Sequence, residues 1–248
     1  MSRPGAMARP CASCRPSARP LRFRCFLAAA LFGLLAACAS PGKITPETSV
    51  VAIGDSVLAF YKAQGASVPD VVGRETGLSV ANLAVSGARI SYGGAGAVAE
   101  GYDIRAQWKP GPWDWVIMNG GANDLLSECG CSRCAANIAG LISRDGTGGA
   151  IPELVTGILG GNSRVILLGY YDGNVQPNVF SGCSDEIDIL NARLERLAAD
   201  TPGVYYVDAG DVIDPRDQSH WFIDRVHPSR LGARLLGQHI AATMRAAG

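Results

Sequence analysis

Five residues in four short segments have the chemistry needed for acyl transfer. Ser56 could be a nucleophile, although a serine hydroxyl reacts poorly at neutral pH without an adjacent base. His227 could be that base, because an imidazole is ordinarily neutral above roughly pH 6.5. Asp224 could hold the imidazole tautomer and stabilise the imidazolium. Gly87 and Asn123 could donate hydrogen bonds to an oxyanion. Each residue alone has an ordinary explanation, such as a helix cap or a polar turn, so the prediction depends on their combination.

From residue 49 onward, short β-branched runs alternate with stretches of helical periodicity. The predicted strands are Val50–Ile53, Ser79–Val85, Trp115–Met118, Val165–Leu168 and Val204–Val207. The predicted helices cover 57–64, 69–76, 132–143, 151–159, 185–199 and 228–244. Nearly continuous apolar strands are typical of parallel sheets covered on both faces. The alternation therefore predicts a doubly wound, three-layer α/β domain.

The reactive residues follow the predicted strands, where such a sheet binds its ligands. Ser56, Gly87 and Asn123 come after the first, second and third strands, and His227 precedes the last helix. We therefore expect them to meet at one edge of the sheet. The Gly-x-Ser-x-Gly pentapeptide of ordinary α/β-hydrolases does not occur in the sequence.

These segments resemble the four sequence blocks of the SGNH hydrolases, also called the GDSL esterase/lipase family. The matching segments, in order, are Gly54-Asp55-Ser56, Gly87, Gly121-Ala122-Asn123-Asp124 and Asp224-Arg225-Val226-His227. The resemblance runs from about Val50 to the C-terminus, and Val57 replaces the common Leu of the first block. It implies a flavodoxin-like sheet of about five strands, a Ser56-His227-Asp224 triad, and an oxyanion hole formed by Ser56, Gly87 and Asn123.

The N-terminal segment has the pattern of a bacterial export signal. Six arginines and no acidic residue precede an apolar run over 25–37, and this order is typical of a signal peptide. The run is too short to span a membrane. It ends in Leu35-Ala36-Ala37-Cys38, which resembles a lipobox. We therefore predict a signal peptide over 1–37, lipidation of Cys38, a tether over 38–48 and a hydrolase domain over 49–248. The alternative is an ordinary secretory signal in which Cys38 is not lipidated.

Removal of residues 1–37 changes the charge of the chain. The precursor has 22 basic and 22 acidic residues. Without the six arginines, 16 basic residues remain against 22 acidic ones, a net charge of −6. A negative surface disfavours nucleic-acid binding. The predicted location is the cell envelope, at the outer membrane or in the periplasm, with a lipid anchor as the membrane contact.

Four cysteines remain in the predicted domain: Cys129, Cys131, Cys134 and Cys183. An exported chain favours disulfides over a zinc or redox site. Four cysteines allow three pairings. We favour Cys131 with Cys134 and Cys129 with Cys183.

Three further segments have two interpretations each. Residues 94–99 match the dinucleotide-binding consensus G-x-G-x-x-A. No predicted strand directly precedes them, as that motif requires, so a mobile loop beside the site is the better prediction. Tyr170-Tyr171-Asp172 and Trp221-Phe222 could line a pocket or belong to the core.

The sequence thus predicts a lipid-anchored serine ester hydrolase that needs no metal and no cofactor. Its substrate would be a small-molecule, lipid or glycan ester. The alternatives are an envelope polysaccharide O-acetylesterase or acyltransferase, and a catalytically silent envelope-binding module.

Overall fold

A computed structural model of the chain describes residues 42–248, in which five strands form one parallel sheet. The strands are β1 (Val50–Ile53), β2 (Val80–Asn82), β3 (Trp115–Met118), β4 (Arg164–Leu168) and β5 (Val204–Val207). Their order across the sheet is β2-β1-β3-β4-β5. This is the order of flavodoxin-like doubly wound sheets, and the predicted fold class is confirmed.

Helices connect the strands and follow the last one. They are α1 (Ser56–Ala59), α2 (Val68–Thr76), α3 (Ala95–Glu100), α4 (Ile104–Gln107), α5 (Ala122–Cys129), α6 (Ala135–Leu141), α7 (Ala150–Leu159), α8 (Ser184–Asp200) and α9 (Arg230–Ala246). Short 3-10 helices cover Lys62–Gln64, Ala209–Asp211 and Gln218–His220. Among residues 42–248, no helix has the length and apolarity needed to cross a bilayer.

The longer helices form two groups around the sheet. α2 packs along α9, and α9 also contacts β4 and β5. α6 contacts α7 and α8, which pack on β4 and β5 respectively. The chain moves from β1 to β2 in one direction and from β3 through β5 in the other, so right-handed crossovers put the two groups on opposite faces. Every residue of β1 and β3 is buried between them.

Gly237 allows α2 and α9 to approach closely. A Cβ at this position would collide with the Val71 side chain and lie 2.9 Å from the Val68 carbonyl oxygen. The two helices therefore meet through backbone and small side chains at this point.

The second strand is shorter than the predicted span of 79–85. Asn82 is buried, and its side chain donates to the Leu58 carbonyl (2.8 Å) and the Ser67 hydroxyl (3.1 Å). It also accepts from the Ala84 N–H at 3.1 Å. Beyond the end of β2, the N–H groups of Leu83 and Val85 still donate to the carbonyl oxygens of Ala52 and Gly54, at 2.7 and 3.1 Å, so this segment stays beside the first strand.

Two segments outside the predicted helices are helical. The polar segment after β3 forms α5, and residues 94–99 lie largely in α3. Each helix follows a glycine with positive φ, Gly121 (120°) or Gly94 (118°), and neither begins with a side-chain cap. The prediction of a mobile loop over 94–99 is therefore corrected to a short helix.

Candidate active site

Ser56 occupies the first position of α1, immediately after β1. Gly54 has φ of 148°, and a Cβ there would collide with the Asn119 side chain, so the turn requires glycine. Asp55 caps the helix by accepting the Val57 N–H at 3.0 Å. The turn thus places Ser56, which is half-buried, at the carboxyl edge of the sheet.

The Asp55 carboxylate is 1% exposed and fully hydrogen-bonded. Its Oδ1 accepts from Val57 N–H and from Asn119 Nδ2 at 2.7 Å, and its Oδ2 accepts from the Tyr170 hydroxyl at 2.6 Å. Burial raises the pKa of Asp55, although these hydrogen bonds act in the opposite direction. The network joins the ends of β1, β3 and β4 beneath Ser56.

Asp224 and His227 lie in one tight loop before α9. The Asp224 Oδ2 is 2.7 Å from His227 Nδ1, and its Oδ1 accepts the N–H groups of Val226 and His227 at 3.0 Å each. Partial burial alone would raise the pKa of Asp224, but the three hydrogen bonds outweigh it and lower that pKa. The carboxylate is therefore held ionised against the imidazole, and Nε2 is the nitrogen at the opposite edge of the ring.

The His227 ring also stacks on an aromatic side chain. The Phe60 ring is parallel to it within 6°, with the two centroids 4.4 Å apart. Phe60 directly follows α1, so the helix that begins with Ser56 also supports His227.

Asn123 and Asp124 bind the segment that follows Gly87. The Asn123 Nδ2 donates to the Ala88 carbonyl oxygen at 3.1 Å. Asp124 accepts the Ile90 N–H at 3.0 Å and the Ser91 N–H at 2.7 Å. Gly87 has φ of 81° and is exposed. The start of α5 thus fixes the loop that carries Gly87.

Ser56, Asn123 and His227 line one cavity, whereas Gly87 and Asp224 lie outside its lining. The apolar wall of the cavity is formed by Val57, Tyr170, Tyr171, Phe180, Ile187 and Trp221. The volume of the cavity is about 50 Å³. This is on the order of four water positions.

The aromatic residues of the Tyr170-Tyr171 and Trp221-Phe222 segments differ in burial and in whether they line the cavity. Tyr170, Tyr171 and Trp221 are buried and also line the cavity, so both interpretations of these residues hold. Tyr171 donates to the Val226 carbonyl at 2.7 Å, next to His227. Phe222 is 38% exposed and lies outside the cavity lining.

The four cysteines form two disulfides, but the favoured pairing was wrong. Cys129 pairs with Cys134, and Cys131 pairs with Cys183. Cys131 lies in a tight turn with φ of 54°, and the Cα atoms of Cys131 and Cys183 are 4.7 Å apart. Cys129 and Cys134 approach to 5.4 Å between Cα atoms across the same turn. The turn geometry, which spacing alone does not reveal, decides the pairing.

Within residues 42–248, no group of three or more His, Cys, Asp or Glu side chains is arranged to hold a metal ion. Cys38, the predicted lipidation site, lies outside the described residues.

The sequence did not indicate the roles of Asn119, Tyr170 and Phe60 around the site. Asn119 and Tyr170 are 64 and 115 residues from their partner Asp55. Asn119 directly follows β3, and Tyr170 lies two residues after the end of β4. These polar groups at the ends of buried strands were the available signal in the sequence. Phe60 gave no signal, because an aromatic residue after a short helix is ordinarily interpreted as core.

The chain is similar to a known family of enzymes. The model of the GDSL-like Lipase/Acylhydrolase family matches residues 52–235. No curated protein sequence is significantly similar to the chain.

Solved structures share its fold at low sequence identity. A carbohydrate acetylesterase family member from Sinorhizobium meliloti superposes with a TM-score of 0.58 at 17% identity, covering 81% of this chain and 98% of that one. An M. smegmatis aryl esterase has a TM-score of 0.55 at 18% identity, covering 81% and 100%. A structure of Est24, a carbohydrate acetylesterase from S. meliloti, has a TM-score of 0.54 at 19% identity, covering 81% and 99%.

Proposed function

Because the chain belongs to the GDSL-like lipase/acylhydrolase family, we propose that it hydrolyses carboxylic esters with Ser56 as the nucleophile. His227 is the general base, and Asp224 orients it. The observation that carries this proposal is the 2.7 Å contact between Asp224 and His227 Nδ1, beside a cavity that both His227 and Ser56 line.

The reaction proceeds in two steps. The Ser56 Oγ attacks the carbonyl carbon while His227 Nε2 takes the hydroxyl proton, and the carbonyl oxygen becomes an oxyanion. The C–O bond to the alcohol then breaks, and His227 returns the proton to the leaving oxygen. Water, activated by the same imidazole, hydrolyses the acyl-enzyme and releases the carboxylic acid.

The oxyanion is stabilised by the N–H groups of Ser56 and Gly87 and by the Asn123 amide. One amide proton of Asn123 is held by the Ala88 carbonyl oxygen. That bond orients the amide, and the second proton is directed to the oxyanion. A fixed donor is more effective than water because it needs no reorganisation during the reaction.

The cavity supports a short acyl group. Its interior offers on the order of four water-sized positions, which suits acetyl better than a long fatty acyl chain. An acetylesterase is therefore the better-supported alternative to a lipase-like activity, and solved structures described as carbohydrate acetylesterases share the fold.

The nucleophile is tested with a fluorophosphonate probe and p-nitrophenyl esters. The wild type should be labelled and should hydrolyse the acetate faster than the octanoate. Ser56→Ala should lose both labelling and hydrolysis, whereas Ser86→Ala, on an exposed loop, should keep them. Undiminished labelling of Ser56→Ala would contradict the assignment.

We also propose export and lipid anchoring through Cys38, on the basis of the N-terminal sequence alone. In a bacterium that processes lipoproteins, the protein should partition with membranes, and Cys38→Ser should not. Equal partitioning of the two forms would contradict the anchor.

A further inference from the structure

Three aromatic rings form a patch beside His227, which we call the aromatic patch: Phe60, Tyr61 and Phe222. The Phe60 ring contacts the other two edge-on, with centroid distances of 4.8 Å to Tyr61 and 5.0 Å to Phe222. Phe60 also stacks on His227. The patch is therefore continuous with the imidazole and lies outside the lining of the cavity.

The outer part of the patch is open to solvent. Phe222 is 38% exposed, and its neighbour Ile223 is 86% exposed. Both belong to the loop that carries Asp224 and His227, and the Phe222 N–H donates to the His227 carbonyl oxygen at 2.8 Å. That loop thus presents two apolar side chains to solvent, and one of them, Phe222, contacts the Phe60 ring that stacks on the imidazole.

The chemistry of the proposed reaction indicates which part of a substrate meets this surface. His227 must return its proton to the leaving oxygen, so the alcohol part of the ester has to lie against the imidazole when the C–O bond breaks. The acyl part is attached to the carbon that Ser56 attacks, and the cavity lies at that carbon. The alcohol therefore leaves past His227, where the aromatic patch begins.

We infer that the aromatic patch binds the alcohol part of the substrate and selects alcohols with a flat, weakly polar ring face. Aromatic rings gain from stacked or edge-to-face contacts beyond the burial of their area, and both aryl groups and the C–H faces of sugar rings present such a surface. This inference rests on the proposed function, because it needs Ser56 and His227 to act on an ester.

The test holds the acyl group constant and varies the alcohol. Phenyl acetate and a peracetylated pyranose carry rings from the two sources, and ethyl acetate has none. Phe222→Ala with Ile223→Ser removes the exposed ring of the patch and the exposed isoleucine next to it, and keeps the backbone bond to His227. We expect kcat/KM to fall roughly 3- to 10-fold for one or both ring esters, mainly through KM, and by less than about 2-fold for ethyl acetate. The ring ester that is affected identifies the source.

Ile189→Ser, a matched change at another exposed isoleucine on α8, should leave all three substrates unaffected. Equal losses on ring and ring-free acetates would overturn the inference, because the patch would then only position His227. No loss on any substrate would overturn it as well. A larger loss for p-nitrophenyl hexanoate than for the acetate would assign the patch to the acyl chain instead.

Fluorophosphonate labelling separates this inference from the proposed function. The double variant should be labelled at the wild-type rate, since Ser56 and the Asp224–His227 pair are unchanged. Failure of the wild type to be labelled at Ser56 would overturn the proposed function and this inference with it.

Discussion

Asn123 is the proposed oxyanion donor that a substitution can remove, because the other two proposed donors are backbone N–H groups. Asn123→Ala should lower kcat by roughly 10² to 10³, or about 2.7 to 4 kcal/mol, with KM little changed. Asn123→Asp should be at least as damaging, since it places a negative charge against the oxyanion. Steady-state kinetics on p-nitrophenyl acetate measure both, with Asn137→Ala on α6 as the control. A rise in KM with kcat intact would make Asn123 a substrate-binding residue instead.

Asp124 should produce a pH dependence of stability. Burial raises its pKa, although the hydrogen bonds from Ser91 and Ile90 oppose the increase. A carboxyl group whose pKa is higher in the folded state favours folding most at low pH, and this contribution is lost as the pH rises above about 3.8. Asp124→Asn does not titrate. Its deficit in Tm relative to the wild type should therefore shrink between pH 4.5 and 7.5. A deficit that grows over this range would contradict the direction of the shift.

At the scale of elements, Tyr170 connects three strand ends. Its hydroxyl donates to Asp55 at 2.6 Å and accepts the Ala122 N–H at 3.4 Å. The bond to Asp55 supports the turn before Ser56, and the bond from Ala122 lies one residue before Asn123. If Ser56 and Asn123 act as proposed, Tyr170 is therefore a positioning residue that connects the two.

Tyr170→Phe should leave the Asp55 Oδ2 buried without a partner, at a cost of about 1 to 3 kcal/mol in unfolding free energy. We expect kcat to fall roughly 10-fold with KM little changed, because small displacements in an active site affect the transition state most. Tyr206→Phe on β5 is the control. Loss of stability with unchanged kcat would show that Tyr170 supports the fold without positioning the site.

At the scale of the whole molecule, one disulfide connects two elements that line the cavity. The Cys131–Cys183 bridge joins the end of α5, which begins beside Asn123, to the start of α8, which contributes Ile187 to the cavity. It closes a separation of 52 residues, against 5 for the other bridge. The chain-entropy relation gives about 4 kcal/mol for the longer loop and about 2 kcal/mol for the shorter one.

Removal of the longer bridge by two Cys→Ser changes should therefore lower the unfolding free energy about twice as much as removal of the shorter one. Urea denaturation measures both. In Cys129→Ser alone, the free thiol that iodoacetamide labels should be at Cys134. Labelling at Cys183 would contradict the pairing.

The fold could be predicted from the sequence wherever the local residue pattern matches the burial of the element in the structure. β1 and β3 are buried on both faces, so their apolar runs set the correct bounds. α3 and α5 were missed because each follows a glycine with positive φ, and neither has the polar side-chain cap by which a helix start is ordinarily identified.

The candidate site likewise has a part that the sequence predicted and a part that it did not. Ser56, Asn123 and His227 were predicted because they lie in short segments near strand or helix ends, and the structure brings them to one cavity. The Asp55–Tyr170 contact could not be predicted, since its partners are 115 residues apart and nothing in the sequence pairs one with the other. The disulfide pairing depended on backbone turns at Cys131 and Arg133, whose φ values of 54° and 55° are uncommon outside glycine.

The turn before Ser56 has a consequence for the evolution of this fold. Gly54 is required because Asn119 fills the space of a Cβ, and Asp55 is required because it caps α1 and binds two strand ends. Both requirements concern folding, and only the serine that follows them is free of such constraints. A descendant that lost the reaction would therefore retain the Gly-Asp pair and replace the serine. We therefore expect that, in inactive descendants of this fold, the Gly-Asp pair is kept and the position of Ser56 is the one that varies.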